Sequence, residues 1–192
     1  MAARLSLLVG LFLTGVAVAQ QSVVSYPADY KAKLVKYAVV DRADGFSRDL
    51  YVSRDAVDSL KQNPNLREFA VGTLFALDVH SATVLGRDPK TGASRFATDR
   101  DGRLARGKDE PILHLMQKTQ AGLGSRNWMF AGYDPVTTRP LKLELPGDCV
   151  LCHQAALMSD MTFSVSLLKQ FVTTGAVQYR LCSHPGRQMC PF

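Results

Sequence analysis

The sequence predicts an α+β fold with a mainly antiparallel β-sheet and flanking helices. Segments with the composition of strands occupy the first two thirds of the chain, and segments with helical spacing flank them. The regular alternation of strand and helix that is typical of a parallel sheet is absent. No repeat, low-complexity tract or linker divides the chain, which favours a single domain.

Five segments are predicted to be strands, because they are rich in β-branched, aliphatic and aromatic residues or alternate polar and apolar ones. They are residues 37–40, 48–53, 72–85, 112–116 and 128–133. In the longest, a period of two places Thr73, Phe75, Leu77 and Val79 on one face, and Leu74, Ala76, Asp78 and His80 on the other. The polar, glycine-containing stretch 87–109 is predicted to be a long loop or hairpin region.

Helices are predicted at four places. A short helix follows Asp29, and a second covers Arg54–Gln62, where apolar residues recur with helical spacing. A third follows Asp148, a residue type that caps helix N-termini. The last is expected to begin at Ser159-Asp160 and to end before Gly175. Its apolar face comprises Leu167, Leu168, Phe171 and Val172.

Residues 1–19 have the features of an export signal. Arg4 precedes an apolar run, and Ala17-Val18-Ala19 supplies the small residues that a signal peptidase recognises. The alternative is a membrane anchor, but the run is shorter than the roughly 20 residues that span a bilayer. We therefore expect a periplasmic protein, cleaved after Ala19, in which residues 20–192 form one domain without a membrane span.

The charge of the chain is modestly basic. Removal of Arg4 with the signal lowers the formal net charge from +6 to +5, and the basic residues are spread along the chain. This distribution does not favour nucleic-acid binding, whereas an acidic protein partner stays open.

The strongest functional signal is Cys149-x-x-Cys152-His153. Residues three and four apart on a helix share one face, so both thiols can add to the two vinyl groups at one edge of a flat macrocycle. His153 follows directly and can place Nε2 under the iron. This spacing is typical of c-type haem attachment. The motif therefore predicts one covalent haem c, held by a C-terminal helical segment, with His153 as iron ligand.

Two alternatives compete with haem for this motif. The two cysteines could form a redox disulfide, but the surrounding βαβ pattern is missing. They could also form half of a zinc site, to which Cys182, His184 and Cys190 could contribute. Export and the adjacent histidine favour haem over both alternatives.

The position of the motif predicts an open iron site. Only 39 residues follow His153, so earlier strands have to build the opposite wall of the pocket. Met158 and Met161 are too close along the same segment to reach that side. The sixth iron position is therefore expected to be open or weakly occupied, and an open position binds small molecules.

Several short motifs recur in an order that resembles the cytochrome P-460 family, which includes lysine-crosslinked hydroxylamine oxidases and the cytochromes c′-β. They are Tyr26-Pro27-x-x-Tyr30, Arg48-x-x-Tyr51-Val52, Gly72-Thr73, Asn127-Trp128-x-Phe130, the haem motif and Asp160-Met161-x-Phe163. The resemblance implies a mainly antiparallel sheet, a five-coordinate haem and a homodimer.

The sequence departs from the oxidising members of that family at the position of the crosslinking lysine. That position, five residues after Gly72, is Leu77 here, and no lysine lies between Lys61 and Lys90. The resemblance therefore points to the cytochromes c′-β, whose apolar distal side holds NO or CO. Phe75 and Leu77 share a strand face and are expected to line that side.

Two polar residues take positions that the resemblance places near the haem. Arg48 corresponds to a family arginine, and His114 to a carboxylate that accepts protons in the family. The alternatives are a surface cation for Arg48 and a histidine satisfied by a backbone carbonyl for His114. If His114 faces the iron, it can ligate the metal or carry protons in a catalytic role near neutral pH.

These features together predict an exported mono-haem c protein that binds NO or a related nitrogen oxide. The alternatives are an oxidoreductase acting on hydroxylamine or NO, and an electron-transfer cytochrome c with a redox partner protein.

The remaining cysteines, Cys182 and Cys190, are expected to form a disulfide, because free thiols seldom persist in an exported protein. The competing prediction is a metal site that also uses His184. Trp128, Phe130 and Tyr133 are predicted to be core or dimer-interface residues, and His80 is expected to make no iron contact.

Overall fold

The computed structural model describes residues 24–134, 136–141 and 146–183. The predicted export signal and Cys190 lie outside these residues. In chain order the elements are α1 (Tyr30–Lys33), β1 (Val35–Arg42), β2 (Phe46–Val52), α2 (Arg54–Gln62), β3 (Leu74–Ser81), β4 (Val84–Arg87), β5 (Ser94–Phe96), β6 (Ile112–Lys118), β7 (Trp128–Tyr133), α3 (Pro146–Gln154), α4 (Val165–Thr174) and β8 (Gln178–Cys182). Two 3₁₀ turns, Ser125–Asn127 and Leu157–Ser159, precede β7 and follow α3.

Six of these strands form one sheet in the order β7-β6-β3-β2-β1-β8. Every neighbouring pair is antiparallel except β1 and β8, which run parallel. Strands β4 and β5 form a separate antiparallel pair within the predicted hairpin region. The predicted class, α+β with a mainly antiparallel sheet and flanking helices, is confirmed.

The alternation along β3 divides the sheet into two faces. The front face packs against α2 and α4, and its core comprises Leu50, Val52, Phe75, Met116, Trp128, Leu60, Leu167 and Leu168, with Leu77 beside it. The back face carries a second core that comprises Tyr30, Tyr51, Ala76, Leu113, Leu115, Ala131 and Tyr133, with Leu74 beside it. The side chains of β3 thus separate as their period of two predicts.

The predicted strand 72–85 is two strands rather than one. Ser81 pairs with Phe46, the first residue of β2, so the ladder that supports β3 ends there. Beyond this point the Ala82 N–H donates to the Gly45 carbonyl and the Thr83 N–H to the Ala105 carbonyl. The chain therefore leaves the main sheet and continues as β4. The strand-forming residues of this run do not reveal where the neighbouring strand β2, which supports β3, begins and ends.

Two predicted helix starts are wrong. Helix α3 already includes Pro146, ahead of the proposed cap at Asp148, and proline is well tolerated in a first helical turn. Helix α4 begins at Val165 rather than after Asp160. The Asp160 carboxylate binds groups in the core and is not available to cap a helix. The predicted end at Gly175 is confirmed, with a φ of 69°.

Strand β8 was not predicted. It pairs with β1 from Ala38–Gln178 to Arg42–Cys182 and forms one edge of the sheet. Arg180 and Leu181 are exposed, so the segment lacks the apolar pattern of a buried strand. Its conformation comes from pairing with β1, a partner more than 130 residues away in sequence.

Helix α2 has the predicted bounds and buries Ala56, Val57 and Leu60. Helix α4 buries Leu167 and Leu168 and half-buries Phe171 and Val172. The Tyr37 hydroxyl and Ser164 Oγ, 2.6 Å apart, join β1 to the start of α4. Among the described residues, no helix is long and apolar enough to cross a membrane.

Replacement of Leu168 by alanine tests the front core. Leu168 is fully buried, so we expect Leu168→Ala to lower the free energy of unfolding by about 2–5 kcal/mol. Leu181→Ala is the matched control, because Leu181 is 64% exposed and its truncation leaves no cavity. Urea denaturation of both variants measures the difference. Equal stabilities would contradict this packing of α4.

Candidate functional site

Helix α3 carries the Cys-x-x-Cys-His motif. Cys149 is partly buried and Cys152 is exposed, and neither thiol is in a disulfide. The two residues are three apart in the helix, so they lie on the same face, as the motif requires. His153 follows in the last turn and is partly buried.

The orientation of the His153 ring is fixed by three contacts. The ring lies between Phe130 and Phe163, with centroid distances of 4.9 and 5.1 Å. Its Nδ1 is 2.5 Å from the Met161 carbonyl oxygen. Because a carbonyl oxygen only accepts hydrogen bonds, Nδ1 carries the proton and Nε2 carries the lone pair. Burial lowers the pKa of His153, partly offset by this hydrogen bond, so the imidazole is neutral near pH 7. A neutral imidazole with Nε2 available is the form that binds a metal.

The three residues that orient His153 were not assigned to the site from the sequence. Phe130 was expected in the core or a dimer interface, and Phe163 and Met161 had no assigned role. The available signal was the pair of motifs Trp128-x-Phe130 and Asp160-Met161-x-Phe163, which contain all three. Their contact with His153 depends on the packing of β7 against the segment after α3.

A buried ion pair lies next to the Met161 peptide. Asp160 and Lys118 are both fully buried, and Lys118 Nζ is 2.6 and 2.8 Å from the two Asp160 carboxylate oxygens. The Trp128 indole N–H donates to the same carboxylate at 3.0 Å, and the Phe69 backbone N–H donates at 2.8 Å. Lys118 Nζ also donates to the Gly122 carbonyl at 2.8 Å. These partners satisfy both charges within the core.

Arg48 and His114 lie on the front face of the sheet. Their strands flank β3, where Leu77 pairs with both Leu50 and His114 and Arg48 pairs with Val79. Burial lowers the pKa of His114, and the positive charge of Arg48 lowers it further. The His114 side chain as a whole is nonetheless exposed.

The Arg48 guanidinium is close to the haem motif. Burial and the nearby charge of Arg42 lower its pKa, while Asp44 and Cys152 raise it. Arg48 Nε is buried and has no hydrogen-bond partner among the described residues. Arg48 thus interacts electrostatically with both His114 and Cys152. An unpartnered buried donor of positive charge fits an anionic group.

Phe75 and Leu77 occupy different environments on the same strand face. Phe75 is buried and packs edge-to-face against Tyr37 and Phe69, and also contacts Trp128. Leu77 is only partly buried and lies between Leu50 and His114 in the strand pairing. Of the two, Leu77 is closer in register to Arg48 and His114. Contact of either residue with a bound ligand stays a prediction.

The back face carries a charge cluster that includes His80. One ligand atom each from Asp49, Asp78 and His80 lies within 4.8 Å of the others, and this is the one group of that kind in the described part of the chain. Lys36 Nζ is 2.8 Å from Asp49, Lys31 Nζ is 3.0 Å from Asp78, and Arg106 also pairs with Asp49. The two carboxylates are therefore matched by three cations, which makes this an ion-pair network. Burial alone would raise the pKa of Asp49, but its hydrogen bonds hold that pKa well below the ordinary range.

Cys182 is buried at the end of β8 and is disulfide-bonded. Its predicted partner, Cys190, lies outside the described residues, as does His184. The pairing of Cys182 with Cys190 therefore stays a prediction.

Helix α3 thus carries two cysteines and a neutral, oriented histidine, the residue types that attach and ligate haem in c-type cytochromes. The sequence model of the family Cytochrome P460 matches residues 27–164, from the segment before α1 to the cap of α4. The chain belongs to the cytochrome P460 family, and its cofactor is a haem. No curated protein sequence matches the chain.

The site residues fit this cofactor. The Nε2 lone pair of His153 suits an iron ligand and the thiols of α3 suit attachment. The partly buried Arg48, with its buried Nε, suits a haem carboxylate or an anionic ligand.

The electrostatic link between Arg48 and His114 can be tested by removing the charge. We expect Arg48→Met to raise the pKa of His114, because the repulsion between Arg48 and protonated His114 is lost. The pKa should stay below its ordinary value because burial remains. Proton NMR of the histidine rings across acidic to neutral pH, in the diamagnetic ferrous CO-bound protein, measures it. Lys90→Met removes an exposed charge on the β4–β5 turn and should leave the value unchanged. If the pKa of His114 is the same in both variants and in the unaltered protein, the charge of Arg48 does not influence His114.

Proposed function

We propose that the protein is an exported mono-haem c cytochrome with one open axial position that binds NO or a related nitrogen oxide. The observation that carries the proposal is the state of His153, which is neutral, oriented by Phe130 and Phe163, and hydrogen-bonded through Nδ1. Membership of the cytochrome P460 family supplies the haem.

In this proposal α3 holds the cofactor on one side. Cys149 and Cys152 attach it through thioethers, and His153 Nε2 ligates the iron. When bound, the haem supplies an iron centre that binds small ligands and exchanges single electrons. The chain itself fixes the tautomer of His153 through Met161 and holds the ring against Phe130 and Phe163.

The opposite wall of the site comes from the front face of the sheet. Leu77 contributes an apolar side chain where the oxidising relatives have a lysine, so a crosslink to the haem is not expected. His114, held neutral by burial and by Arg48, can donate or accept one hydrogen bond. Arg48 offers an unpartnered N–H to an anionic group. An apolar wall with a few polar groups favours small ligands.

One observation favours a second function, the oxidation of hydroxylamine or NO. Arg48 and His114 are close enough to interact electrostatically, so the site contains both a fixed positive charge and a group that can carry a proton. The missing lysine argues against efficient turnover of hydroxylamine. Steady-state assays with hydroxylamine and an electron acceptor distinguish the two functions.

A six-coordinate electron-transfer site has less support. The Met161 side chain is fully buried in the front core, and Met158 is 76% exposed after α3. Absorption spectra of the ferric and ferrous protein, with and without CO or NO, test the open position. Spectra of a six-coordinate ferrous protein that does not bind CO would refute the proposal.

Covalent attachment through α3 has its own test. We expect the haem to stay on the polypeptide during acid extraction of the denatured protein, because thioether bonds survive it. Cys149→Ala and Cys152→Ala should each remove one bond, and the double variant should release the haem. A chain that lacks Cys182 and Cys190 is the matched control and should retain it. Release of haem from the unaltered protein would show that the attachment is not covalent.

The distal wall can be tested by opening it at Leu77. We expect Leu77→Ala to speed the association of CO and NO, because it removes an apolar side chain between Leu50 and His114. The cost in stability should be no more than about 2 kcal/mol, since Leu77 is only partly buried. Leu74→Ala makes the same change on the back face of β3 and is the matched control. Equal association rates in the two variants, measured by flash photolysis, would place Leu77 away from the ligand.

A further inference from the structure

The segment that joins α3 to α4 has an unusual backbone. Asp160 and Met161 have φ values of 49° and 64°, and neither is glycine. Residues with a side chain enter this left-handed region at an energetic cost, so two in succession need support from their surroundings. The turn orients the Met161 carbonyl toward His153 Nδ1.

Backbone hydrogen bonds hold this turn from within. The Met161 N–H donates to the Ala156 carbonyl at 2.9 Å, and the Asp160 N–H donates to the Leu157 carbonyl at 3.1 Å. The Ala156 N–H donates in turn to the His153 carbonyl at 2.9 Å. The turn and His153 therefore form one local unit, but none of these bonds connects that unit to the sheet.

The Asp160 side chain supplies the connection. Its carboxylate receives hydrogen bonds from Lys118 on β6, from Trp128 on β7 and from the Phe69 backbone in the segment before β3. Asp160 is adjacent to Met161, so anchoring its side chain also anchors the peptide that carries the Met161 carbonyl. Lys118, Trp128 and Asp160 are here called the carboxylate clamp.

A buried ion pair is a costly way to join two elements. Desolvation of Lys118 and Asp160 offsets most of their attraction, and well-packed apolar residues often stabilise a core as much or more. An apolar contact, however, tolerates small displacements, whereas a carboxylate with four donor contacts fixes position and direction. The clamp therefore provides positional accuracy at the point where the carbonyl meets His153.

We infer that the carboxylate clamp is a positioning device that holds the Met161 carbonyl against His153 Nδ1 and so sets the basicity of the iron ligand. A strong hydrogen bond at Nδ1 gives the imidazole more anionic character, which strengthens the iron–histidine bond and stabilises ferric iron. The inference rests on the proposed function, in which His153 ligates the haem iron. The hydrogen bonds of the clamp end on the Asp160 carboxylate, and His153 Nδ1 bonds to Met161, so the clamp acts on the proposed ligand through Met161.

Two single variants test the inference in the haem-loaded protein. Trp128→Phe removes one donor to Asp160 and keeps an aromatic ring in the core. Lys118→Met removes the cation and keeps a long apolar side chain. In each variant we expect the iron–histidine stretching frequency of the ferrous protein, measured by resonance Raman spectroscopy, to fall. The reduction potential should rise, because a weaker hydrogen bond at Nδ1 stabilises ferric iron less. The Lys118→Met/Asp160→Asn double variant should show the largest changes.

Leu168→Ala is the control for a structural effect alone. Leu168 belongs to the same front core as Met161 but has no polar group that could bind the Asp160 carboxylate. We expect it to lower stability without changing the stretching frequency or the potential. If both clamp variants lose stability but keep the frequency and potential of the unaltered protein, the clamp is structural and the inference is wrong. If Lys118→Met does not fold, Trp128→Phe alone decides, since it leaves the ion pair intact.

The ligand assignment has a separate test. His153→Gly should abolish the iron–histidine band, and added imidazole should restore it. A band that survives this substitution would refute the proposed ligand and the inference with it. A band that depends on His153 but not on the clamp would refute the inference alone.

Discussion

The ion pair between Lys118 and Asp160 connects the sheet to the segment that follows the motif helix α3. Both residues are fully buried, and each charge has to find its partners inside the protein. The carboxylate meets donors from β6, β7 and the segment before β3, so a single side chain fixes three elements relative to one another. Because Asp160 precedes Met161, the same contacts determine where the hydrogen-bond acceptor of His153 lies. The geometry of the proposed iron ligand thus depends on a group that does not touch it.

The two faces of the sheet have separate roles because side chains alternate along each strand. The front face combines an apolar core with Arg48 and His114 at its accessible part, next to the motif helix. On the back face, Asp49 and Asp78 form ion pairs with Lys36, Lys31 and Arg106, away from the front-face residues assigned to the site. The two faces of the sheet therefore differ in how their charged groups are paired. On the front face, the Arg48 Nε, which has no hydrogen-bond partner within the described part of the chain, lies on the same face as His114, an arrangement that suits an anionic cofactor and a small polar ligand.

Most of the fold could be predicted from the sequence, because local pattern and tertiary environment agree. The bounds of α2, the end of α4 at Gly175 and the faces of β3 all follow from spacing and residue type. Predictions failed where a partner distant in sequence decided the outcome. Strand β8 has no strong pattern and depends on β1, and the run 72–85 divides where β2 ends. Asp160 resembles a helix cap, but its carboxylate is bound within the core.

The sequence by itself predicted a haem protein, since Cys149, Cys152 and His153 have the spacing of a c-type attachment motif, and the family match agrees with a haem cofactor. The resemblance also predicted that Leu77 stands where the crosslinking relatives have a lysine. Only the tertiary structure decided which atoms orient the histidine and which charge influences His114. Those contacts join strands and turns that are far apart in the chain, such as Lys118 with Asp160. Buried polar groups have to find hydrogen-bond partners, and which partners they find depends on how the separate elements pack together, so no local sequence pattern predicts such a pair.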